Sequence, residues 1–483
     1  MWFPYNKGGA YRKWSGNAEY VVNYGDDGAE LRAYHDRLNR TKPGGRLKNQ
    51  SCYFIPCVSW SKVSSCEFAA RYFPEGFLFD VAGSAIFFNN FEESAYYLGL
   101  LNSAVTKVVL AALSPTLNYE AEHLCSIPLP TDGDGPDRRQ SVATVEMLIA
   151  WAQADWDAFE TSWDFQSLPV LQHKADTLRQ SQEASDVECL ARFKQMKQLE
   201  EENNRLFIEA YGLQDELSPE VPEDQITLYR PDRKQDMQRL ISYCIGCAMG
   251  RYSLDKPGLI YANSGNVGFD SSQYRIFPAD QDGIIPITDM EWFDDDAAHR
   301  FEEFIAVAWP KEHLEENLQF LAESLGAKNG ETSRETIRRY LADEYFKDHL
   351  QTYKRRPIYW LFTSGRHKAF QCLVYLHRYN EATLARMRTE YVIPLLGRFN
   401  ARIAQLEEDK AKATAPAHSR RLEKEQEMLK KQQAELTLFH DKLRHAADQR
   451  INLNLDDGVK VNYGKFGDLL AGVTQVCGKA EDD

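Results

Sequence analysis

The stretch 1-MWFPYNKGGAYRKWSGNAEYVVNY-24 decides how the first part of this chain is interpreted. It alternates aromatic and basic side chains: Tyr5, Lys7, Tyr11, Arg12, Lys13, Trp14, Tyr20 and Tyr24. Aromatic rings beside cations suit stacking on bases and contact with phosphates. The alternative is a first β-hairpin whose rings enter a hydrophobic core. The stretch alone leaves both interpretations open.

Length and composition predict a folded protein of several domains. The chain has 483 residues, of which 43% are hydrophobic and 12% aromatic, which is too much apolar material for one ordinary core. The formal net charge of −15 excludes a generally basic nucleic-acid coat. Affinity for phosphate depends on where the charges lie, so their distribution matters more than the total.

The positive charge is concentrated near the start of the chain. Residues 7–71 contain eleven Lys and Arg residues against six Asp and Glu residues. Acidic residues cluster instead in 214-QDELSPEVPED-224 and 289-DMEWFDDD-296, which are typical of solvated surfaces. The sequence therefore predicts one DNA-facing surface on a molecule that is otherwise acidic.

Cysteine content and hydropathy predict a cytoplasmic, soluble protein with no membrane partner. Nine cysteines in a long chain without a signal peptide indicate reduced thiols. Cys244 and Cys247 form a single CxxC inside an apolar run that is typical of a buried helix, so we expect neither zinc nor redox chemistry there. No apolar stretch reaches the roughly 18 to 20 residues that a bilayer span needs.

The pattern along the chain predicts an α+β protein. Short Tyr-, Phe- and Val-rich runs broken by Gly and Pro indicate strands, and later segments show helical spacing. Pro416 should break two long helical segments into an antiparallel hairpin with a coiled-coil-like surface. The expected parts are a β-rich domain at 1–130, a helical connector at 141–213, a mixed, mostly helical domain at 214–380, a spacer-like helical hairpin at 383–451 and a C-terminal tail at 452–483.

Complete catalytic motifs are absent from the sequence. There is no Pro-Pro pair and no G-x-G-x-x-G turn, which methyl transfer to a flipped adenine would need for base and methyl-donor binding. HExxH, P-loop and GxSxG motifs are absent as well. We therefore assign no catalytic, cofactor-binding or metal-binding residue.

Several long segments, in order, resemble one family. They are the opening 24 residues, 59-SWSKVSS-65, 77-FLFDVAGSAIFF-88, 99-GLLNSAVTKVVLAALSPTLNYEAEHLCSIPLP-130, 155-DWDAFETSWDFQ-166, 246-GCAMGRYSLDKPGLIYA-262, 356-RPIYWLFTSG-365 and 448-DQRINLNLDDGVKVNYGKF-466. Together they resemble the target-recognition and C-terminal half of PglX, the adenine-specific DNA methyltransferases of BREX phage-defence systems. The resemblance covers nearly the whole chain.

The resemblance implies recognition of double-stranded DNA for adenine-N6 methylation in phage defence. It implies S-adenosylmethionine as cofactor of the full-length family, bound by an N-terminal catalytic domain that carries an Asn-Pro-Pro-Tyr loop. Neither that loop nor the methyl-donor turn occurs here, so we expect no cofactor in this chain and a catalytic domain that acts on the DNA in cis or in trans. Other BREX proteins are further expected partners.

Candidate DNA contacts are assigned by side-chain chemistry within the expected recognition domain. Bidentate pairing with guanine suits Arg12, Arg37, Arg40 and Arg46, and pairing with adenine suits Asn17, Asn49, Gln50 and Asn118. Phosphate contacts are expected from Lys7, Lys13, Lys42, Lys48 and Lys62. We give most weight to 37-RLNRTKPGGRLKNQ-50, a basic segment without an acid that Pro43-Gly44-Gly45 should make a loop; the alternative is a surface loop with no ligand.

Two other functions are compatible with the sequence. One is a protein-interaction scaffold, in which the helical hairpin and the acidic 214–380 region dock partners and DNA contact is minor. The other is a recognition subunit that assembles in trans with a separately encoded methyltransferase, because a β-rich reader followed by long spacer helices also resembles type I restriction specificity subunits. Salt-dependent binding to duplex DNA separates the scaffold from the readers.

Overall fold

The computed structural model describes residues 1–41, 47–64, 67–114, 116, 118–130 and 135–478, with only the backbone described at residues 39 and 41. Helices make up 55% of the chain and strands 9%, so the predicted α+β class is confirmed. The chain forms two compact units. Unit 1 comprises residues 1–165 and 186–231, and unit 2 comprises residues 166–185 and 232–483. The finer predicted division into five parts stays a prediction.

The strands of unit 1 form two small sheets. The opening stretch is a hairpin, because β1 (Trp2–Asn6) pairs antiparallel with β2 (Tyr20–Asn23), with Tyr5 opposite Tyr20. After helix α1 (Gly25–Thr41), β3 (Cys57–Ser61) lies between two antiparallel neighbours. The remaining strands are β4 (Ala70–Phe73) and β6 (Gly83–Ile86), which flank β3, and β5 (Leu78–Phe79), which runs parallel to β1.

Helices complete unit 1 and provide most of its core. They are α2 (Phe91–Leu101), α3 (Ala104–Leu113), α4 (Ala121–Cys125), α5 (Arg138–Asp157) and the part of α7 (Leu178–Ala210) from residue 186 onward. Polar N-caps begin two of them, since Asn90 accepts from the Glu93 amide and Ser103 from the Thr106 amide. The core joins sheet and helix residues, including Trp14, Val58, Trp60, Ala95, Leu98, Val145, Leu148, Ala152 and Met196.

Unit 2 surrounds a third sheet with helices. The sheet has the order β7 (Ile284–Pro286), β9 (Gln371–Tyr375), β8 (Tyr359–Thr363), and both pairings are antiparallel. Fully buried side chains from both kinds of element form its core, such as Leu240, Ile241, Ile285, Phe304, Leu321 and Leu373. The helices are α6 (Pro169–Gln172), α8 (Arg233–Ala248), α9 (Ala297–Ala308), α10 (Leu314–Leu325), α11 (Ser333–Asp343), α12 (Tyr345–Thr352), α13 (Thr383–Arg386), α14 (Ile393–Lys412), α15 (Pro416–Asp448), α16 (Gly458–Gly464) and α17 (Val473–Cys477).

The helices α14 and α15 form an antiparallel hairpin. Lys410 Nζ lies 2.7 Å from Glu423 Oε1, and Gln426 Nε2 donates to Glu407 Oε1 at 3.0 Å. Partner numbers fall along α14 as they rise along α15, which is the pattern of an antiparallel pair. The predicted break is confirmed, because Pro416 lies in the first turn of α15, where its missing N–H costs nothing. A π-helical turn, Met387–Val392, precedes α14.

One local prediction is wrong. Residues 37–41, expected to begin a loop, are the last turns of α1. The helix is consistent with the chain's chemistry, because a proline disfavours helix only for the residue directly before it, and Arg40 in the last turn interacts favourably with the helix dipole. The Pro43-Gly44-Gly45 loop itself lies outside the described residues.

Within the described ranges, no single helix combines the length and apolar character that crossing a bilayer requires. Only α2 and α3 taken together pass by length and composition, and they are bent by 66° at their junction.

Candidate nucleic-acid interface

The loop between β1 and β2, residues 7–17, is held against the second sheet of unit 1. Asn6 Nδ2 donates to Ser59 Oγ at 2.6 Å, and Ser61 Oγ accepts from the Gly9 amide at 3.0 Å and donates to the Gly9 carbonyl at 2.9 Å. Further along, the Trp14 amide donates to the Ala70 carbonyl at 3.0 Å. The 7–17 loop is therefore a packed part of unit 1.

Arg12, a candidate guanine contact, is bound on all sides by the protein. Its guanidinium pairs with Asp155 Oδ2 at 2.9 Å and donates to the carbonyls of Ala152, Ser15 and Thr227. It also lies 5.1 Å from the centre of a Trp156 ring. These contacts satisfy its donors within unit 1, so the interface is argued from other residues.

Lys13, a candidate phosphate contact, is buried. Its Nζ pairs with Glu200 on α7, and the second oxygen of that carboxylate accepts from Trp14 Nε1 at 2.7 Å. Only 5% of Lys13 and 2% of Glu200 are exposed. The Lys13–Trp14 pair thus anchors the loop to α7. The opening question is answered for Trp14 and Tyr24, because both rings lie in the core rather than on the surface.

Asn17, a candidate adenine contact, is also used inside the loop. It is 4% exposed, and its Nδ2 donates to the Ala10 carbonyl at 2.9 Å. The neighbouring glycines have internal reasons as well. A Cβ on Gly9 would lie 2.7 Å from Asn17 Nδ2, and one on Gly16 would lie 2.5 Å from Arg12 Nε. The glycines make room for the loop's own side chains.

Six candidate residues remain exposed and offer their side chains to a ligand. Lys7 lies on the surface at the end of β1, 5.5 Å from the centre of the Tyr20 ring. Arg37 and Arg40 are exposed at the end of α1. Lys48, Asn49 and Gln50 are exposed just before β3, with Asn49 in the left-handed conformation at φ 54°. Lys42 and Arg46 lie outside the described residues.

The structure brings the last two candidates, Lys62 and Asn118, into adjacent segments. Val63 forms an antiparallel bridge with Asn118, and the Tyr119 amide donates to the Lys62 carbonyl at 2.8 Å. Lys62 Nζ pairs with Glu120 Oε1 at 2.9 Å, and both side chains are partly exposed. Asn118 is exposed. Chain positions 56 residues apart thus share one edge of unit 1.

Sequence reasoning missed Arg71, which lies behind the same edge. Arg71 is on β4 and only 1% exposed, with Nη1 donating to the Arg12 carbonyl at 3.1 Å and Nη2 to Ser61 Oγ at 3.1 Å. Burial, and the nearby charge of Arg12, lower its pKa to about 10. Its position directly after 68-FAA-70 in a short β-like run was the available signal, because alternate residues of such a strand face inward.

An acidic cleft of about 1250 Å3 occurs in unit 2. Asp280, Asp282, Asp294, Asp295 and Glu390 line it, with Arg300 and Arg386. Burial and the charge of Asp280 raise the pKa of Asp282 to about 8, and burial raises that of Asp295. Tyr391 Oη donates to Asp282 Oδ2 at 3.1 Å and to Asp295 Oδ2 at 2.9 Å. The cleft repels polyanions and attracts cations.

The described residues do not fit S-adenosylmethionine. Nucleotide-type cofactors commonly bind at the carboxyl edge of a parallel sheet, next to a glycine-rich turn. Here the one parallel pairing among the named strands, β1 with β5, spans two residue pairs, and no such turn follows it. Cys244 and Cys247 are fully buried in α8, as predicted, and burial raises the pKa of both thiols. No group of three or more potential metal ligands occurs within the described ranges. No catalytic step is therefore derived for this chain.

Comparison with known proteins gives the class. No protein-family model matches the chain. Its relatives are adenine-specific methyltransferases, two of which align with it along nearly its whole length.

The two relatives come from distant bacteria. The "Adenine-specific methyltransferase BrxX" of Escherichia coli O9:H4 (strain HS) is 42% identical over 507 residues, covering 100% of this chain and 41% of BrxX. The "Adenine-specific methyltransferase PglX" of Lacticaseibacillus casei (strain Zhang) is 40% identical over 476 residues, covering 96% of this chain and 38% of PglX. The chain is thus a homologue of part of these proteins and spans about two fifths of their length.

Proposed function

We propose that this chain recognises double-stranded DNA for site-specific adenine-N6 methylation in a BREX-type phage-defence system of the bacterial cytoplasm. The observation that carries the proposal is its similarity, end to end, to part of two adenine-specific methyltransferases. In the proposal, S-adenosylmethionine and the reacting adenine bind to a catalytic domain outside this chain. This chain holds the duplex in register for that domain.

The charge distribution of unit 1 supports DNA contact. Lys7, Arg37, Arg40 and Lys48 are exposed, and no ion pair is recorded for them within the described ranges. Lysine and arginine release counterions when they neutralise phosphates, so binding through them weakens steeply with salt. Asn49, Gln50 and Asn118 are exposed amides beside these cations in the sequence, and amides pair with adenine edges. We assign phosphate contact to the cations and base contact to the amides.

The test compares two sets of four neutralised cations. In one variant, Lys7, Arg37, Arg40 and Lys48 are changed to Gln. In the control, Arg420, Arg421, Lys424 and Lys431, which are exposed on α15, are changed to Gln. Both variants change the net charge equally, so any difference reflects position. Binding to random duplex DNA is measured by fluorescence anisotropy at several salt concentrations, and the retained DNA is sequenced.

We expect the unit 1 variant to lose affinity by about three orders of magnitude at low salt, if each contact is worth roughly 1 kcal/mol, and to show a shallower salt dependence. The control should bind like the unchanged protein. An enriched short sequence establishes a reader. Equal loss in both variants would show that only total charge matters, and absence of DNA binding by the unchanged chain would reject the proposal.

A protein-interaction scaffold is the second candidate. The acidic cleft of unit 2 favours it, because five carboxyl-bearing residues line one open depression that suits a basic partner segment. Under this alternative, DNA binding is negligible at all salt concentrations and the two Gln variants behave alike. The same titration therefore separates the two functions.

A further inference from the structure

Arg71 carries a buried positive charge for which the described residues supply no carboxylate partner. Its side chain is 1% exposed, and its two terminal nitrogens donate to a carbonyl and a hydroxyl. Its Nε is buried and has no hydrogen-bond partner. Burying an arginine without a counter-charge is costly, because desolvation removes water that nothing of opposite charge replaces.

The neighbouring cations show that the imbalance is specific to Arg71. Arg12 is paired with Asp155, and Lys13 is paired with Glu200. Arg71 lies close enough to Arg12 for their like charges to repel, and its pKa remains well above 7. The guanidinium is therefore charged under physiological conditions, and the region behind the 7–17 loop has one more positive than negative charge.

A small cleft connects Arg71 with the surface. It encloses about 200 Å3, and its described lining includes Gly9, Ala10, Ser61, Ser64 and Arg71. Gly9 and Ala10 are exposed at its edge. The one carboxylate in the lining, Glu67, is already paired with Lys107 at 2.6 Å and accepts from Gln225 at 3.2 Å. The cleft therefore combines a buried cation, hydroxyl groups and access from solvent.

We propose that this cleft is an anion site and that its occupant is one backbone phosphate of bound DNA. A neutral ligand, such as a base, leaves the charge of Arg71 uncompensated, whereas a phosphate oxygen supplies both the charge and an acceptor. Lys62 and Asn118 lie on adjacent segments at the same edge, where the duplex continues. The assignment of DNA as the source rests on the proposed function; free phosphate is the other source of the same chemistry.

Substitutions at the edge of the cleft test the site without disturbing the core. Ala10 is exposed and contributes only its carbonyl to the loop's hydrogen bonds in the described contacts. Ala10→Asp places a carboxylate at the cleft, and Ala10→Asn has the same size without the charge. Ala29→Asp, on the exposed side of α1, adds an equal charge elsewhere in unit 1. Arg71→Met removes the cation itself.

Two probes are used with the full chain. The first is inorganic phosphate at constant ionic strength, read as a rise in melting temperature relative to chloride. We expect a rise for the unchanged protein, Ala10→Asn and Ala29→Asp, and none for Ala10→Asp or Arg71→Met. The second is duplex DNA, which Ala10→Asp should bind about tenfold more weakly than Ala10→Asn, with a salt dependence shallower by about one ion.

The outcomes separate the inference from the proposed function. If Ala10→Asp and Ala10→Asn respond alike to both probes, the anion site is rejected, whether or not the unchanged chain binds DNA. If the phosphate response is lost only in Ala10→Asp and Arg71→Met but no variant binds DNA, the DNA assignment is rejected and the cleft is a site for free phosphate. If Arg71→Met does not fold, the two Ala10 variants still decide.

Discussion

Lys13 and Lys7 show how two lysines of one short stretch acquire different roles. Lys7 is exposed beside Tyr20, whereas Lys13 is buried against Glu200. The difference comes from a partner 187 positions away in the chain. A buried cation needs a compensating carboxylate, and Glu200 supplies it while also accepting from Trp14. Position, rather than residue type, separates the structural lysine from the candidate ligand-binding one.

The buried Lys13–Glu200 pair should be important for stability. Replacing Glu200 with Ala leaves a buried ammonium group and a Trp14 N–H without an acceptor, so we expect a loss of about 3–5 kcal/mol in the free energy of unfolding. Glu188→Ala, on the same helix, removes a surface pair with Arg192 and should cost less than about 1 kcal/mol. Urea unfolding followed by circular dichroism measures both, and equal costs would contradict the structural role of Glu200.

Asp282 should make stability depend on pH. Its pKa is raised to about 8 in the folded protein, against an ordinary value near 3.8, so the folded state holds its proton more tightly than the unfolded state. The group therefore stabilises the fold fully below about pH 4, and that contribution is lost as the pH rises toward 8. Asp282→Asn keeps an acceptor for Tyr391 and should reduce the stability loss between pH 5 and pH 8.

Asp294→Asn is the matched control, because Asp294 lines the same cleft but is exposed. Urea midpoints at both pH values provide the readout. A pH dependence that is unchanged in Asp282→Asn, or reduced equally in Asp294→Asn, would contradict the assignment to Asp282.

At the scale of elements, the α14–α15 hairpin shows that periodicity determines which face is buried. Along α15 the buried positions include Leu422, Leu429, Leu436 and Leu443, a repeat of seven residues. Such a repeat keeps one face of a helix against its neighbours over many turns. The charged residues between them form cross-helix pairs such as Arg402 with Glu425. The apolar face therefore accounts for the hairpin's stability, and the surface pairs contribute little.

Two leucines of α15 test this assignment. Leu436 is fully buried and Leu438 is 66% exposed. Leu436→Ala should cost about 2–5 kcal/mol, because it removes buried methyl groups and leaves a cavity, whereas Leu438→Ala should change stability by less than about 0.5 kcal/mol. Chemical unfolding of the two variants under the same conditions measures the difference. Similar values for both would mean that the helix faces are assigned wrongly.

Two glycines should respond to alanine with opposite signs. Gly326 ends α10 in the left-handed conformation at φ 82°, and Gly397 lies inside α14; a Cβ at either position would meet open space. Gly326→Ala should therefore destabilise by about 1 kcal/mol through backbone strain alone, while Gly397→Ala should stabilise by about 0.5–1 kcal/mol. Melting temperatures of the two variants give the signs, and a shared sign would refute the conformational argument.

At the scale of the whole molecule, the chain divides into two units with their own cores. Unit 1 is discontinuous in sequence, because residues 166–185 belong to unit 2. The contacts of Glu200 lie within unit 1, and Leu436 lies in unit 2. Local losses of packing are felt most within the cooperative unit that contains them. A substitution in one core should therefore leave the other core protected.

Hydrogen exchange followed by mass spectrometry tests this division. Glu200→Ala should speed exchange in the unit 1 segments 57–61 and 91–101 and leave the unit 2 segments 359–363 and 371–375 unchanged. Leu436→Ala should have the reverse effect. Faster exchange in all four segments, for either variant, would show that the two units unfold as one cooperative body.

The sequence by itself determined the α+β class, the buried helix around Cys244 and Cys247, the hairpin broken at Pro416, and the similarity to adenine-specific methyltransferases. These features depend on local spacing, on proline geometry and on long ordered motifs, all of which are present in the chain as written. Only the tertiary structure decided which cations are buried: Arg12 and Lys13 are paired with Asp155 and Glu200. Arg71, unremarkable in sequence, lines a cleft without a carboxylate partner in the described residues. The physical reason is that the energy of a charge depends on its burial and its partners, and these come from segments far apart in the chain.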